Sequence, residues 1–118
     1  MTASNREALL DPKLLSSTVA NNAVTVGSGE KITLDSAFVA NLHTSDVTVT
    51  AYIVPSGGTA GDATNACLPA MTIPAGQAVS LTGYLSGIVL EEVGSSLQLD
   101  ASVDAKLFCA VYGRRETV

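Results

Sequence analysis

Few residues in this chain have types suited to chemistry, and their spacing decides what they can do. His43 is the single histidine and sits in His43-Thr44-Ser45-Asp46, which contains the residue types of a nucleophile, a base and an orienting acid. Neighbours in one turn cannot build that constellation, because each group must reach the next in a fixed hydrogen-bonded geometry. Glu91-Glu92 offers two carboxylates, but adjacent residues of an extended chain point to opposite faces. Both segments read as solvated turns. Asp46, Asp62, Asp100 and Asp104 lack the D-x-D-x-D-G spacing of a calcium loop. Gly57-Gly58-Thr59-Ala60-Gly61 comes after a strand-like run without the spacing or the lysine of a phosphate-binding loop, and its glycines read as turn residues. Two cysteines and one histidine, far apart in sequence, do not make a zinc ligand set. Cys109, within Leu107-Phe108-Cys109-Ala110-Val111, reads as a small buried hydrophobe, and a Cys67–Cys109 disulfide stays open because sequence cannot measure their separation. No catalytic, cofactor-binding or metal residue is expected.

The bulk properties narrow the field further. A chain of 118 residues suits one domain with a real core. Its 14% charged residues fall well below the usual share of about 25%. Ser, Thr, Ala, Asn and Gly take their place and give a smooth, weakly charged surface suited to contact with other protein. The net charge is −5 and the basic residues are scattered apart from Arg114-Arg115, so nucleic-acid binding is not expected. No apolar run approaches the roughly 18–20 residues that span a bilayer as a helix, so no membrane partner is expected. The start, MTASNREALLDPK, lacks the basic region and apolar core of a secretory leader, so synthesis in the cytoplasm is expected.

The elements that would position these residues are strands. Ser4 and Glu7 match a capping box, so Arg6 to Leu10 is expected to form a short helical turn, ended by Asp11-Pro12. Leu9, Leu10, Leu14 and Leu15 then make residues 1–15 an apolar arm, which either straps the domain's own core or docks on a neighbour. From Ser16 the period is two, the repeat of a strand. Ile32, Leu34, Phe38, Ala40 and Leu42 read as one half-buried face, with a bulge near Ser36. Val47, Val49, Ala51 and Ile53 come next, then a long loop, Met71 to Ile73, a Pro74-Ala75-Gly76-Gln77 turn, Ala78 to Leu81, Ile88 to Leu90, Leu97 to Val103, and Leu107 to Tyr112. Short strands with turn signals every 8–12 residues mark a sandwich or barrel. The expected fold is all-β: a single antiparallel β-sandwich over residues 16–118, jelly-roll or immunoglobulin-like, of about seven to eight short strands with a short N-terminal arm.

Two strands are apolar on both faces. Phe108, Ala110 and Tyr112 share the face opposite Leu107, Cys109 and Val111, while Tyr52 and Val54 interrupt the polar face of their own strand. A strand exposed on one side should alternate with polar residues, so these second faces either lie under the N-terminal arm or meet another subunit, the subunit contact being favoured. The candidate subunit or capsid interface is therefore Leu9, Leu10, Leu14, Leu15, Tyr52, Phe108 and Tyr112.

The string Val49-Thr-Ala-Tyr-Ile-Val-Pro-Ser-Gly-Gly-Thr-Ala-Gly-Asp-Ala63 is succeeded in order by Ile73-Pro-Ala-Gly76, by Leu90-Glu-Glu-Val-Gly94 with Leu97, and by Val111-Tyr-Gly-Arg-Arg-Glu116. This series, over about residues 32–116, resembles small tailed-bacteriophage virion structural proteins. The resemblance implies a non-enzymatic β-sandwich that decorates or cements the capsid head, the alternative being a tail or receptor-binding fibre module. It implies the major capsid protein and copies of the chain itself as partners, a trimer being favoured. It carries no catalytic residues, cofactor or small-molecule substrate, and locates the chain on the virion, the head surface before the tail.

Overall fold

Side-chain alternation in the long strands sorts this chain into two layers. A computed structural model describes residues 6–18 and 22–117. In chain order the elements are β1 (Arg6–Leu14), β2 (Ala23–Thr25), β3 (Glu30–Asn41), β4 (Val47–Val54), β5 (Ala66–Ile73), β6 (Ala78–Ser80), α1 (Thr82–Leu85), β7 (Val89–Leu90), β8 (Ser96–Ala101) and β9 (Leu107–Thr117). One sheet has the order β1-β9-β3-β6, with β7 also paired to β3, and the other has the order β2-β8-β4-β5. Every pairing is antiparallel. The first half of the chain is thus laid against the second, β1 on β9, β2 on β8, β3 on β6 and β7, and β4 on β5, and this ribbon is rolled into two sheets. That topology is the jelly roll, one of the two sandwich types expected.

The core lies between the sheets. Ile32, Leu34, Ala37 and Val39 of β3 and Leu107, Cys109 and Val111 of β9 meet Val47, Val49 and Ala51 of β4 and Leu97, Leu99 and Ala101 of β8. Each fully buried Val, Leu or Ile stabilises by roughly 1.5–3 kcal/mol relative to exposure. Leu81 and Leu85 plug the corner between β6 and β7, where α1 turns the chain. The Pro74–Gln77 turn forms as expected: the Gln77 N–H donates to the Pro74 carbonyl at 3.1 Å, and Gly76 takes φ +73, a conformation that favours glycine.

Three local expectations are corrected. Arg6 to Leu10 is extended and belongs to β1; Ser4, the other half of the supposed capping box, lies outside the described residues. The local helix signals lose because pairing on β9 satisfies the backbone and delivers Leu10 to the core. Pro12 is tolerated because β1 is an edge strand whose register slips between Leu10 and Lys13. Pro69 sits in a similar irregularity of the opposite edge strand, β5. The second correction concerns β3. The expected bulge is present, between Leu34 and Ser36, but it reverses the parity of the rest of the strand. Ala37, Val39 and Asn41 point inward, so Phe38, Ala40 and Leu42 point out. Across the bulge stands Gly113, where a Cβ would collide with the Thr33 carbonyl oxygen and the end of Leu9. Third, Ser17 and Thr18, within the period-two run expected from Ser16, form bends.

Two buried asparagines and one arginine tie the layers together. Asn41, in the first sheet, donates to the Ile73 carbonyl of the second at 2.8 Å and to the Ser45 carbonyl at 3.0 Å, while its Oδ1 accepts the His43 N–H at 2.8 Å. Asn22 donates to the Leu99 and Ser16 carbonyls at 2.9 and 2.7 Å and accepts the Ser16 N–H at 3.0 Å. Towards the other end of β3, Arg115 donates to Glu30 at 2.9 Å and to the Thr25 carbonyl at 3.3 Å, with Glu7 at 3.5 Å. Glu30 also accepts the Gly27 N–H at 2.8 Å. That bond first, and Arg115 second, hold its carboxyl below the ordinary value.

Candidate assembly surface

The outer face of the β1-β9-β3-β6 sheet gathers apolar side chains from all four strands. Phe108 of β9 lies between Leu14 of β1 and Ala40 of β3, which is itself paired with Ala78 of β6. One step along, Ala110 lies beside Phe38, and one step further Tyr112 lies between Ala8 and Ser36. The Phe38 and Phe108 rings touch in a tilted pair with centroids 5.9 Å apart. Ala110 is fully buried on this outer face, whereas Leu14 is 43% exposed and Phe38 36%. The remainder of the face turns polar, through Thr33 paired with Arg114 and Lys31 paired with Glu116. A contiguous apolar patch with a polar border is the form that protein–protein contact sites take.

The structure divides the residues singled out from sequence. Leu14, Phe108 and Tyr112 meet on this face. Leu10 and Leu15 point into the chain's own core, and Leu9 is half-buried against it. Tyr52 lies on the outer face of the other sheet, in register with Gln98 and Ala66, and is only 7% exposed. Phe38 was missed; the bulge near Ser36 was the available signal, since an extra residue moves every later side chain to the other face.

Tyr52 and Val54 are covered from within the chain. The 55–65 loop folds back through a 3-10 turn at Ala63–Asn65 that packs on β4. Gly58 sits so tightly on Val54 and Pro55 that a Cβ there would come within 2.9 Å of both. The Ser56 N–H donates to Glu92 at 2.9 Å and ties the loop to the 91–95 turn. Asp62 caps the 3-10 turn by accepting from the Thr64 N–H, a bond that lowers its carboxyl pKa. Next to Tyr52, Gln98 donates to Ser96 Oγ at 3.1 Å, but its Oε1 is buried without a partner among the described residues.

The remaining chemical groups are dispersed. His43 lies in its turn, half-buried. Glu91 and Glu92 are exposed. Among the described residues no group of three or more His, Cys, Asp or Glu side chains could hold a metal ion. Both cysteines are free thiols. Burial pushes Cys109 up to about 12 and also raises Cys67, so neither is a ready thiolate. A shallow cavity of about 240 Å³ lies between Thr33, Asp35, Ser86 and Arg114.

No protein-family model matches this chain, and no curated protein does. Among solved structures, that of the infectious bursal disease virus Gx strain aligns with 98% of this chain and 32% of its own, at 13% identity and TM-score 0.47. The crystal structure of the T13 particle of the same virus aligns with 99% of this chain and 31% of its own, at 13% identity and TM-score 0.46. The chain thus spans about a third of the length of the viral chains it aligns with.

Proposed function

We propose that this chain is a non-enzymatic structural protein of a virion, a decoration or cement subunit that clamps the outer head lattice through the apolar face of its β1-β9-β3-β6 sheet. The observation that carries the reading is the patch formed by Leu14, Phe38, Ala40 and Phe108, open to solvent on a weakly charged molecule. The jelly roll recurs in viral capsid domains, but also in lectins and cupins, so the fold contributes by analogy only. The partners in this reading are the major capsid protein and further copies of the chain, with a trimer favoured. Several modest contacts shared by an oligomer raise avidity through effective concentration. A clamp that binds assembled lattice and not free subunits stabilises the shell by mass action.

The alternative, a tail or receptor-binding fibre module, would use the 55–68 loop as its contact. That loop is folded onto β4 and tied to Glu92, which favours the head reading. Cryo-electron microscopy of the particle carrying this chain tests the proposal. Density on the outer head with the Phe38–Phe108 face against the lattice is expected, and density on the tail alone would overturn it. The Phe108→Glu variant is expected to stay folded, with a thermal transition lowered by the loss of the ring pair with Phe38, and to lose head binding.

A further inference from the structure

The two ends of β3 present complementary features. Leu42 lies just past the last residue of β3 and is 65% exposed, the highest value among the described large hydrophobics. Its N–H donates to the Lys106 carbonyl at 2.9 Å, so Leu42 and Lys106 are held side by side. The turn beneath them is fixed by the bond from the His43 N–H to the buried Asn41. Lys106 is exposed and has no side-chain partner among the described residues. Asp46 and Asp104, in the same cluster of turns, each already accept a backbone N–H, from Ala75 and Ser17.

An open groove of about 410 Å³ lies at the opposite end, where β7 pairs with Ile32 and Thr33 at the start of β3. At about 3.3 Å per residue, the rise of a strand, that is roughly 30 Å from Leu42. Ile53, Pro55, Val89 and Leu90 supply its apolar lining, and Glu91 and Glu92 its carboxylates. Glu92 holds the Ser56 N–H, while Glu91 is exposed and has no partner among the described residues.

We propose that Leu42 of one copy seats in this groove on the next, with Lys106 against Glu91, joining copies head to tail. The occupant is a second copy because one chain carries both halves: an apolar knob beside an unpaired cation, and an apolar groove beside an unpaired carboxylate. Such a contact is heterologous: it closes into a ring where the rotation allows and otherwise extends as a filament. The fixed turn under Leu42 lowers the ordering cost of docking. This inference does not depend on the virion reading, and its failure would leave the Phe38–Phe108 face untouched.

Sedimentation velocity of the full chain over a concentration series tests it. The unaltered chain is expected to form concentration-dependent species larger than a dimer. Leu42→Asp removes the knob and Val89→Asp the groove; each variant alone is expected to run as a monomer, and an equimolar mixture is expected to give dimers and nothing larger. Lys106→Glu is expected to weaken association by about tenfold, regained when the same chain also carries Glu91→Lys. Circular dichroism confirms that each variant folds, and Glu91→Arg replaces Val89→Asp if that variant does not. A chain that stays monomeric throughout, a knob or groove variant that still associates, or a mixture that fails to dimerise would each overturn the contact.

Discussion

The sandwich has two outer faces made from similar strands, and they are finished differently. On the β2-β8-β4-β5 side, Tyr52 and Val54 are buried within the chain itself, and the 55–65 loop packs against Val54. On the β1-β9-β3-β6 side, Leu14 and Phe38 remain substantially exposed around the Phe38–Phe108 ring pair. An apolar residue on the outer side of a strand therefore signals a cover without saying who supplies it. The first face is part of this chain's own stability; the second is available to other protein.

That contrast makes substitutions on the two faces behave differently. Tyr52→Ala should destabilise the monomer by about 3 kcal/mol, as large-to-small changes at buried aromatic positions do. Phe108→Ala should cost only about 1 kcal/mol, mostly the ring pair with Phe38. Urea unfolding of both variants measures the difference, and equal losses would erase the distinction between the faces. A smaller effect is expected at Gln98, whose buried Oε1 has no partner among the described residues. Exchange for methionine together with Ser96→Ala, so that the Ser96 hydroxyl bonded to Gln98 is not left unpaired, removes an orphaned acceptor and should raise stability by about 1 kcal/mol. A loss instead would mean that the oxygen is satisfied, by water for example, and that the covered face is wetter than its burial suggests.

The smallest expected effect concerns the clasp between the layers. Glu30 has its pKa lowered from 4.5 by the Gly27 N–H and then by Arg115. A depressed carboxyl contributes its stability above the unfolded pKa and loses it as pH falls through the folded one. Glu30→Gln should therefore differ from the unaltered chain most above pH 4.5, with the two converging in acid. Thermal melts from pH 7 downward would show this convergence, and a gap that widened on acidification would contradict the assignment.

Much of the fold was legible from period-two alternation and turn chemistry, including the Pro74–Gln77 turn, the β3 bulge and the two-faced β9. The misses share one cause: long-range partners overrode local signals. Arg6 to Leu10 has a helix-like cap in its sequence, yet β9 offered a better use of its backbone. Phe38 changed face through the parity shift at the bulge, which requires an exact count of residues. Tyr52 read as part of a subunit or capsid interface, yet its cover comes from within the chain. No local signal marks Asn22 and Asn41, whose amides bond carbonyls 77 and 32 positions away. The same limitation applied to the assembly surface: Phe108 and Tyr112 were visible in the alternation, while their neighbours required the sheet order.

The placement of Pro12 and Pro69 has a consequence for how the protein tolerates crowding. Fibril growth by strand addition needs an uninterrupted row of backbone donors along a flat edge. Each long edge strand has an imino acid at a kink, and the other outermost strands are short, β2 and β6 of three residues and β7 of two. Copies accumulating in a small volume are thereby steered away from open-ended sheet extension. Association is left to side chains on faces and at tips, where growth stops once the arrangement closes on itself.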